Sequence, residues 1–151
     1  MLECFVPDQG VVWGAADVKL FDEAVDYAAR VSRGTVCEFL AAPSVVAGVD
    51  GGRIDVAVEF FVPPCSLDCF ADELDRALIR RSLEYGAARR NRWAAPVRVT
   101  PLSPSLFHQW RLAWKVTQKS QHARRWSTDR GMLDQVLRYA ATGWRDDCQG
   151  A

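Results

Sequence analysis

Apolar and polar positions alternate in some stretches of the chain and recur every three to four residues in others. The clearest alternation is Arg53-Ile54-Asp55-Val56-Ala57-Val58-Glu59-Phe60-Phe61. A strand has a side-chain period of two, so Ile54, Val56, Val58 and Phe60 share one face while Arg53, Asp55 and Glu59 share the other. Thr35-Val36-Cys37-Glu38-Phe39-Leu40 reads as a second strand, joined to the first as a hairpin by the glycine-rich turn Ala47-Gly48-Val49-Asp50-Gly51-Gly52. Helical spacing appears at Phe21, Val25, Ala28 and Ala29, with Asp22, Glu23 and Asp26 placing negative charge in the first turns. Ser32-Arg33-Gly34 stops that helix, with Gly34 as its C-cap. Beyond Pro63-Pro64, Ser66 or Asp68 caps the longest helix, whose stripe runs through Phe70, Leu74, Ala77, Leu78 and Tyr85.

An opening strand is expected at Val11-Val12-Trp13, after the turn Val6-Pro7-Asp8-Gln9-Gly10. Pro96-Val97-Arg98-Val99-Thr100 alternates as a further strand. Ser103-Pro104-Ser105 opens a short helix carrying Phe107, Trp110 and Trp114, with Pro104 suited to the first helical position. Residues 118–128 read as a polar, basic loop, and Met132, Val136, Leu137 and Tyr139 as a last helix. The order is roughly β-α-β-β-α-β-α. It predicts an α+β domain, a mixed sheet flanked by helices. One domain over residues 1–143 is expected, followed by a loose tail at 144–151.

Composition narrows the class. With 151 residues, 49% of them hydrophobic and 25% charged, the chain can bury a core without metal or disulfide support. No apolar run approaches the length of a membrane span, and the first residues lack a signal peptide's basic start and apolar centre. A cytoplasmic protein, with no membrane partner, is the expectation. The five cysteines, Cys4, Cys37, Cys65, Cys69 and Cys148, lack zinc-ligand spacing and read as reduced thiols, with no metal site. Charge is balanced overall at 19 basic and 19 acidic residues, but unevenly placed. Residues 1–75 hold 4 Lys+Arg against 14 Asp+Glu, leaving 15 against 5 for residues 76–151. Such halves either attract each other within the fold or present a polar surface to a partner.

Self-contained hydrolytic chemistry is not indicated. Only His108 and His122 could serve as bases; His108 lies in an aromatic helix and reads as structural, and the acidic residues sit at spacings that suit exposed faces. Nucleic acid is disfavoured as a partner, since the outward face of the middle strand is acidic. A groove along the basic half, with Trp110, Trp114 and Trp126, is the form such binding would take.

From Tyr85 onward the chain resembles a specific family. Leu83-Glu84-Tyr85-Gly86-Ala87-Ala88-Arg89-Arg90, Pro96-Val97-Arg98-Val99, Ser105-Leu106-Phe107-His108-Gln109-Trp110 and Gln121-His122 with Arg125-Trp126-Ser127-Thr128-Asp129-Arg130 carry the likeness. Earlier, Asp17-Val18-Lys19-Leu20 stands where that family has Gly-Glu-Lys-Leu. The family is that of the auxin-responsive promoter, the acyl-acid–amido synthetases, which are adenylate-forming enzymes. What the resemblance implies is a small C-terminal lid closing over a large domain that binds ATP and the acid. An amino acid's amine then displaces AMP from the acyl-adenylate.

By position, Lys19 corresponds to the family's lysine at the transferring phosphoryl group, where a cation stabilises developing charge. Gln121, His122, Arg124 and Arg125 correspond to a nucleotide- or partner-facing segment, though without the family's later lysine and proline. ATP and Mg2+ are expected only through a partner, with no cofactor bound by the chain alone and no activity in isolation. The implied partner is a separate adenylating protein or biosynthetic enzyme, since the large domain is not encoded in these residues. The alternative is a non-catalytic binding or scaffolding module. A lid without its large domain should expose an apolar patch, which a two-fold homodimer would cover.

Overall fold

The computed structural model of the chain describes residues 18–113, 124–126 and 130–143. A long antiparallel hairpin organises the rest. β1 (Thr35–Val46) and β2 (Val49–Val62) pair from Thr35↔Val62 to Val46↔Val49, turning through Ala47-Gly48. β3 (Arg98–Leu102) joins β2 in parallel and β4 (Arg124–Trp126) joins β1 in parallel, giving a mixed sheet of order β3-β2-β1-β4. The strand expected at Val11-Val12-Trp13 and the tail at 144–151 lie outside the described residues.

Both faces of this sheet are covered. Period-two alternation sends Phe39, Ala41, Ile54, Val56 and Val58 into a core with α1 (Val18–Val31), α2 (Leu67–Arg81) and α3 (Leu83–Arg90). Leu40, Ala42, Ala57 and Leu102 enter a second core beneath α4 (Leu106–Ala113) and α5 (Gly131–Arg138), the latter running into a π-helical turn, Tyr139–Gly143. The domain is therefore an α+β sandwich of three layers.

Several junctions differ from the sequence expectation, each for a local reason. At the end of α1 it is Arg33, not Gly34, that takes the left-handed conformation, at φ 66°. Gly34 donates to the Ala29 carbonyl (2.7 Å) and Arg33 to that of Arg30 (3.1 Å), the paired bonds of a Schellman motif. Gly34 serves close approach instead, since a Cβ there would lie 2.9 Å from the Pro64 nitrogen. Gly51 and Gly52 belong to β2 and not to the turn: Gly51 donates to the Trp93 carbonyl at 2.7 Å, and a Cβ on it would lie 2.4 Å from the Trp93 ring.

The long helix is interrupted at Ser82. Its N–H donates to the Leu78 carbonyl (2.9 Å) to close α2, and its Oγ accepts the Tyr85 N–H (3.1 Å) to open α3. Pro104 sits in a turn ahead of α4, not in its first position; the Leu106 N–H there reaches the Ser103 carbonyl at 3.1 Å. Within the basic stretch expected to be a loop, Arg124–Trp126 pairs with Phe39, Leu40 and Ala41 as the edge strand β4.

Candidate functional site

The polar face of the hairpin is not a solvated surface, as its alternation suggested, but the floor of the second helical layer. Glu38, Asp55 and Glu59 are buried under α4 and α5. Each is engaged. Arg111 on α4 donates to both oxygens of Glu38 (2.9 and 3.4 Å), and the Phe107 N–H in the first turn of α4 donates to Glu59 Oε1 at 3.1 Å. Asp55 accepts from Arg53 Nε and from Arg130 Nη1, both at 2.7 Å, while Arg130 Nε also reaches Asp134 Oδ1 at 2.9 Å. These carboxylates hold helices onto the sheet, an arrangement that satisfies buried charge and leaves little for general acid–base work.

A bulge in β1 sets Val36 opposite Phe60 and Glu38 opposite Glu59, with Cys37 between them. As a result Cys37 Sγ and carboxylate oxygens of Glu38 and Glu59 lie within 4.8 Å of one another. Both carboxylates already accept donors there, Glu38 from Arg111 and Glu59 from the Phe107 N–H, so a cation would compete with them.

A second network is built from the motif residues Tyr85 and Arg89. Asp75 on α2 accepts the Tyr85 hydroxyl, a bidentate contact from Arg89 (2.9 Å for Nη2 to Oδ2) and the Val97 N–H (3.3 Å). It thus ties α2, α3 and the approach to β3 into one unit. Burial, then the neighbouring Asp75 charge, pushes the Tyr85 hydroxyl well above its ordinary range. The hydrogen bond to Asp75 likewise raises Arg89. The part of the family motif most visible in the sequence is therefore an internal brace.

Of the residues singled out as candidates, Lys19 lies exposed in the first turn of α1 and forms no ion pair with the described residues. Arg124 and Arg125 lie on β4, in register with Phe39 and Leu40, and α1 packs against that strand. The fold thus brings the helix bearing Lys19 against the strand bearing Arg124 and Arg125, although about a hundred residues separate them in sequence. Gln121 and His122 lie outside the described residues. His108 is exposed on α4 and does not pack in the aromatic core, which takes Phe107 and Trp110 instead. Sequence reasoning missed these engaged carboxylates because the partners that α4 and α5 bring to them, Arg111 for Glu38, the Phe107 N–H for Glu59 and Arg130 for Asp55, stand 73, 48 and 75 residues away.

The fold is a hairpin-centred mixed sheet between two helical layers, with the helix bearing Lys19 beside the edge strand β4. A family model described as the GH3 family C-terminal domain matches residues 19–122, and the chain belongs to that family. Two similar solved structures share the fold. One is described as a GH3.15 acyl acid amido synthetase, at TM-score 0.59 and 10% identity, covering 81% of this chain and 23% of that one. The other, AtGH3.15 acyl acid amido synthetase in complex with 2,4-DB, gives TM-score 0.61 and 12% identity with the same coverage. The chain thus spans under a quarter of those proteins, 23% in each case. No curated protein matches it. No helix among the described residues is long and apolar enough to cross a membrane.

Proposed function

We propose that this domain acts in trans as the lid of an adenylate-forming reaction, closing over an ATP-binding large domain on a separate protein. The observation that carries the reading is the family match, which begins at Lys19 on α1, the helix packed against β4. Lys19 would supply the cation at the phosphoryl group, and closure would exclude water from the acyl-adenylate. Arg124 and Arg125 of β4, together with Gln121 and His122, would bind the nucleotide or the partner. ATP and Mg2+ would be held by the large domain. The test is amide formation by a GH3 large domain deprived of its own C-terminal domain, supplemented with this chain or its Lys19→Ala variant. Loss of at least about tenfold with Lys19→Ala, at unchanged binding, is expected for a cation acting on transition-state charge. Equal activity of the two would remove Lys19 from the chemistry.

A second reading, a binding module without catalysis, draws on exposed apolar residues. Val31, Phe61 and Val62 stand exposed near the open end of the hairpin, Phe61 at 78%. In that case the chain would bind the large domain, or a biosynthetic enzyme, and amide formation would not rise.

A further inference from the structure

α1 packs along α2, and Tyr27 of α1 lies half-buried against the core they share. Arg80 and Arg81, in the last turn of α2, both reach its ring, with guanidinium carbons 5.4 and 5.5 Å from the ring centroid. Consecutive helix positions do not face each other, so it is the ring that gathers the two side chains. The ring face attracts a cation through its quadrupole and uses none of the guanidinium N–H donors. Those donors are unspent. Among the described residues neither guanidinium has a hydrogen bond or an ion pair, and the Tyr27 hydroxyl has no partner. Glu23, one turn before Tyr27, and Glu84, three residues after Arg81, are exposed and pair with neither arginine.

We infer that Arg80, Arg81 and Tyr27 form a binding site for a phosphoryl group. The balance of charge and donors decides between oxyanions. Elsewhere in this protein arginines and carboxylates match one for one. Arg111 alone spans both oxygens of Glu38, and Arg89 both oxygens of Asp75. Where two arginines, Arg53 and Arg130, meet at Asp55, a second carboxylate, Asp134, joins the network. A single carboxylate at the Tyr27 ring would therefore leave one guanidinium over. A phosphate monoester carries a charge of about −1.5 to −2 at neutral pH and offers three acceptor oxygens. Two positive forks and one hydroxyl answer that charge and that number of oxygens. Both arginines are exposed, so the ligand reaches them without any backbone movement. A free phosphate compound and a phosphorylated side chain of a partner present the same group. The inference rests on α1 and α2 alone and does not depend on the role as a lid.

Titration of the whole chain with inorganic phosphate, followed through the arginine Nε–H and tyrosine ring signals in NMR, tests the inference. The expected result is saturable shifts at Arg80, Arg81 and Tyr27, with acetate at equal ionic strength binding about tenfold more weakly or worse. The double variant Arg80→Gln, Arg81→Gln is expected to lose about tenfold or more in affinity, read at the Tyr27 ring. Arg80→Lys with Arg81→Lys keeps both charges and removes both forks; it is expected to bind phosphate more weakly than the unaltered chain. Titration with a phosphoserine tripeptide separates the sources. Tighter binding than inorganic phosphate assigns the group to a partner's phosphorylated side chain, and weaker binding to a free phosphate compound; either keeps the site. Shifts confined to other arginines, acetate binding as tightly as phosphate, or an affinity unchanged in the glutamine pair would overturn it.

Discussion

Gly34 has backbone on every side where a side chain would go. A Cβ would meet the Pro64 nitrogen at 2.9 Å and the Val62 carbonyl oxygen at 3.0 Å, none of them able to rotate aside. Gly34→Ala is therefore expected to cost about 1–3 kcal/mol in denaturant unfolding, an overpacking penalty. The sequence marked this residue as special but gave the wrong cause, since a glycine after a helix usually signals left-handed backbone and here Arg33 takes that role. Tyr85 shows the same gap. Its hydroxyl is held neutral by burial beside Asp75, so the folded state keeps a proton that the unfolded chain releases near pH ~10. Stability from this group is whole below about pH 10 and falls as pH rises beyond it. Tyr85→Phe is expected to cost about 1 kcal/mol at neutral pH and to flatten that alkaline decline. Chemical denaturation of both proteins at neutral and alkaline pH checks it. The motif made Tyr85 and Arg89 visible, but Asp75, their acceptor, is 10 and 14 residues away and outside it.

At the scale of elements, legibility followed periodicity. The hairpin was readable because one face of each strand is continuously apolar, down to the alternation that separates Val56 and Val58 from Asp55 and Glu59. What that pattern could not say is whether the polar face meets water or another layer. The break at Ser82 was hidden for a different reason. Leu78 and Tyr85 are seven residues apart, two helical turns, so the apolar stripe keeps its phase across the interruption. Only the capping chemistry of Ser82 marks it. Ser82→Ala, which leaves the Tyr85 N–H without its acceptor, is expected to destabilise by about 1 kcal/mol, and Ser82→Gly by only a few tenths. Thermal unfolding of the two variants separates a capping role from simple removal of a side chain. β4 was illegible because three residues give no period, and their pairing with β1 is long-range.

Across the whole molecule, the charge imbalance between the two halves of the chain finds part of its meaning inside the fold. Glu38 with Arg111, Asp55 with Arg130 and Asp75 with Arg89 each join the acidic first half to the basic second half. Glu38 retains only 4% exposure, so removing its partner strands a buried charge. Arg111→Met is expected to cost about 3 kcal/mol, and adding Glu38→Gln to recover much of it, as a double-mutant cycle of unfolding free energies would report. The first two pairs fix α4 and α5 on one face of the sheet, the third braces α2 against α3 on the other, and α1 and β4 meet at its edge. The domain so held belongs to the GH3 C-terminal family, and the proposed role for it is that of a lid on a larger domain. The most direct measurement is the rate of amide formation by a GH3 large domain lacking its own C-terminal domain, with and without this chain. A rate that rises and saturates with added chain, while the chain alone forms none, is expected. A rate that stays flat over concentrations at which the two proteins demonstrably bind would contradict action in trans.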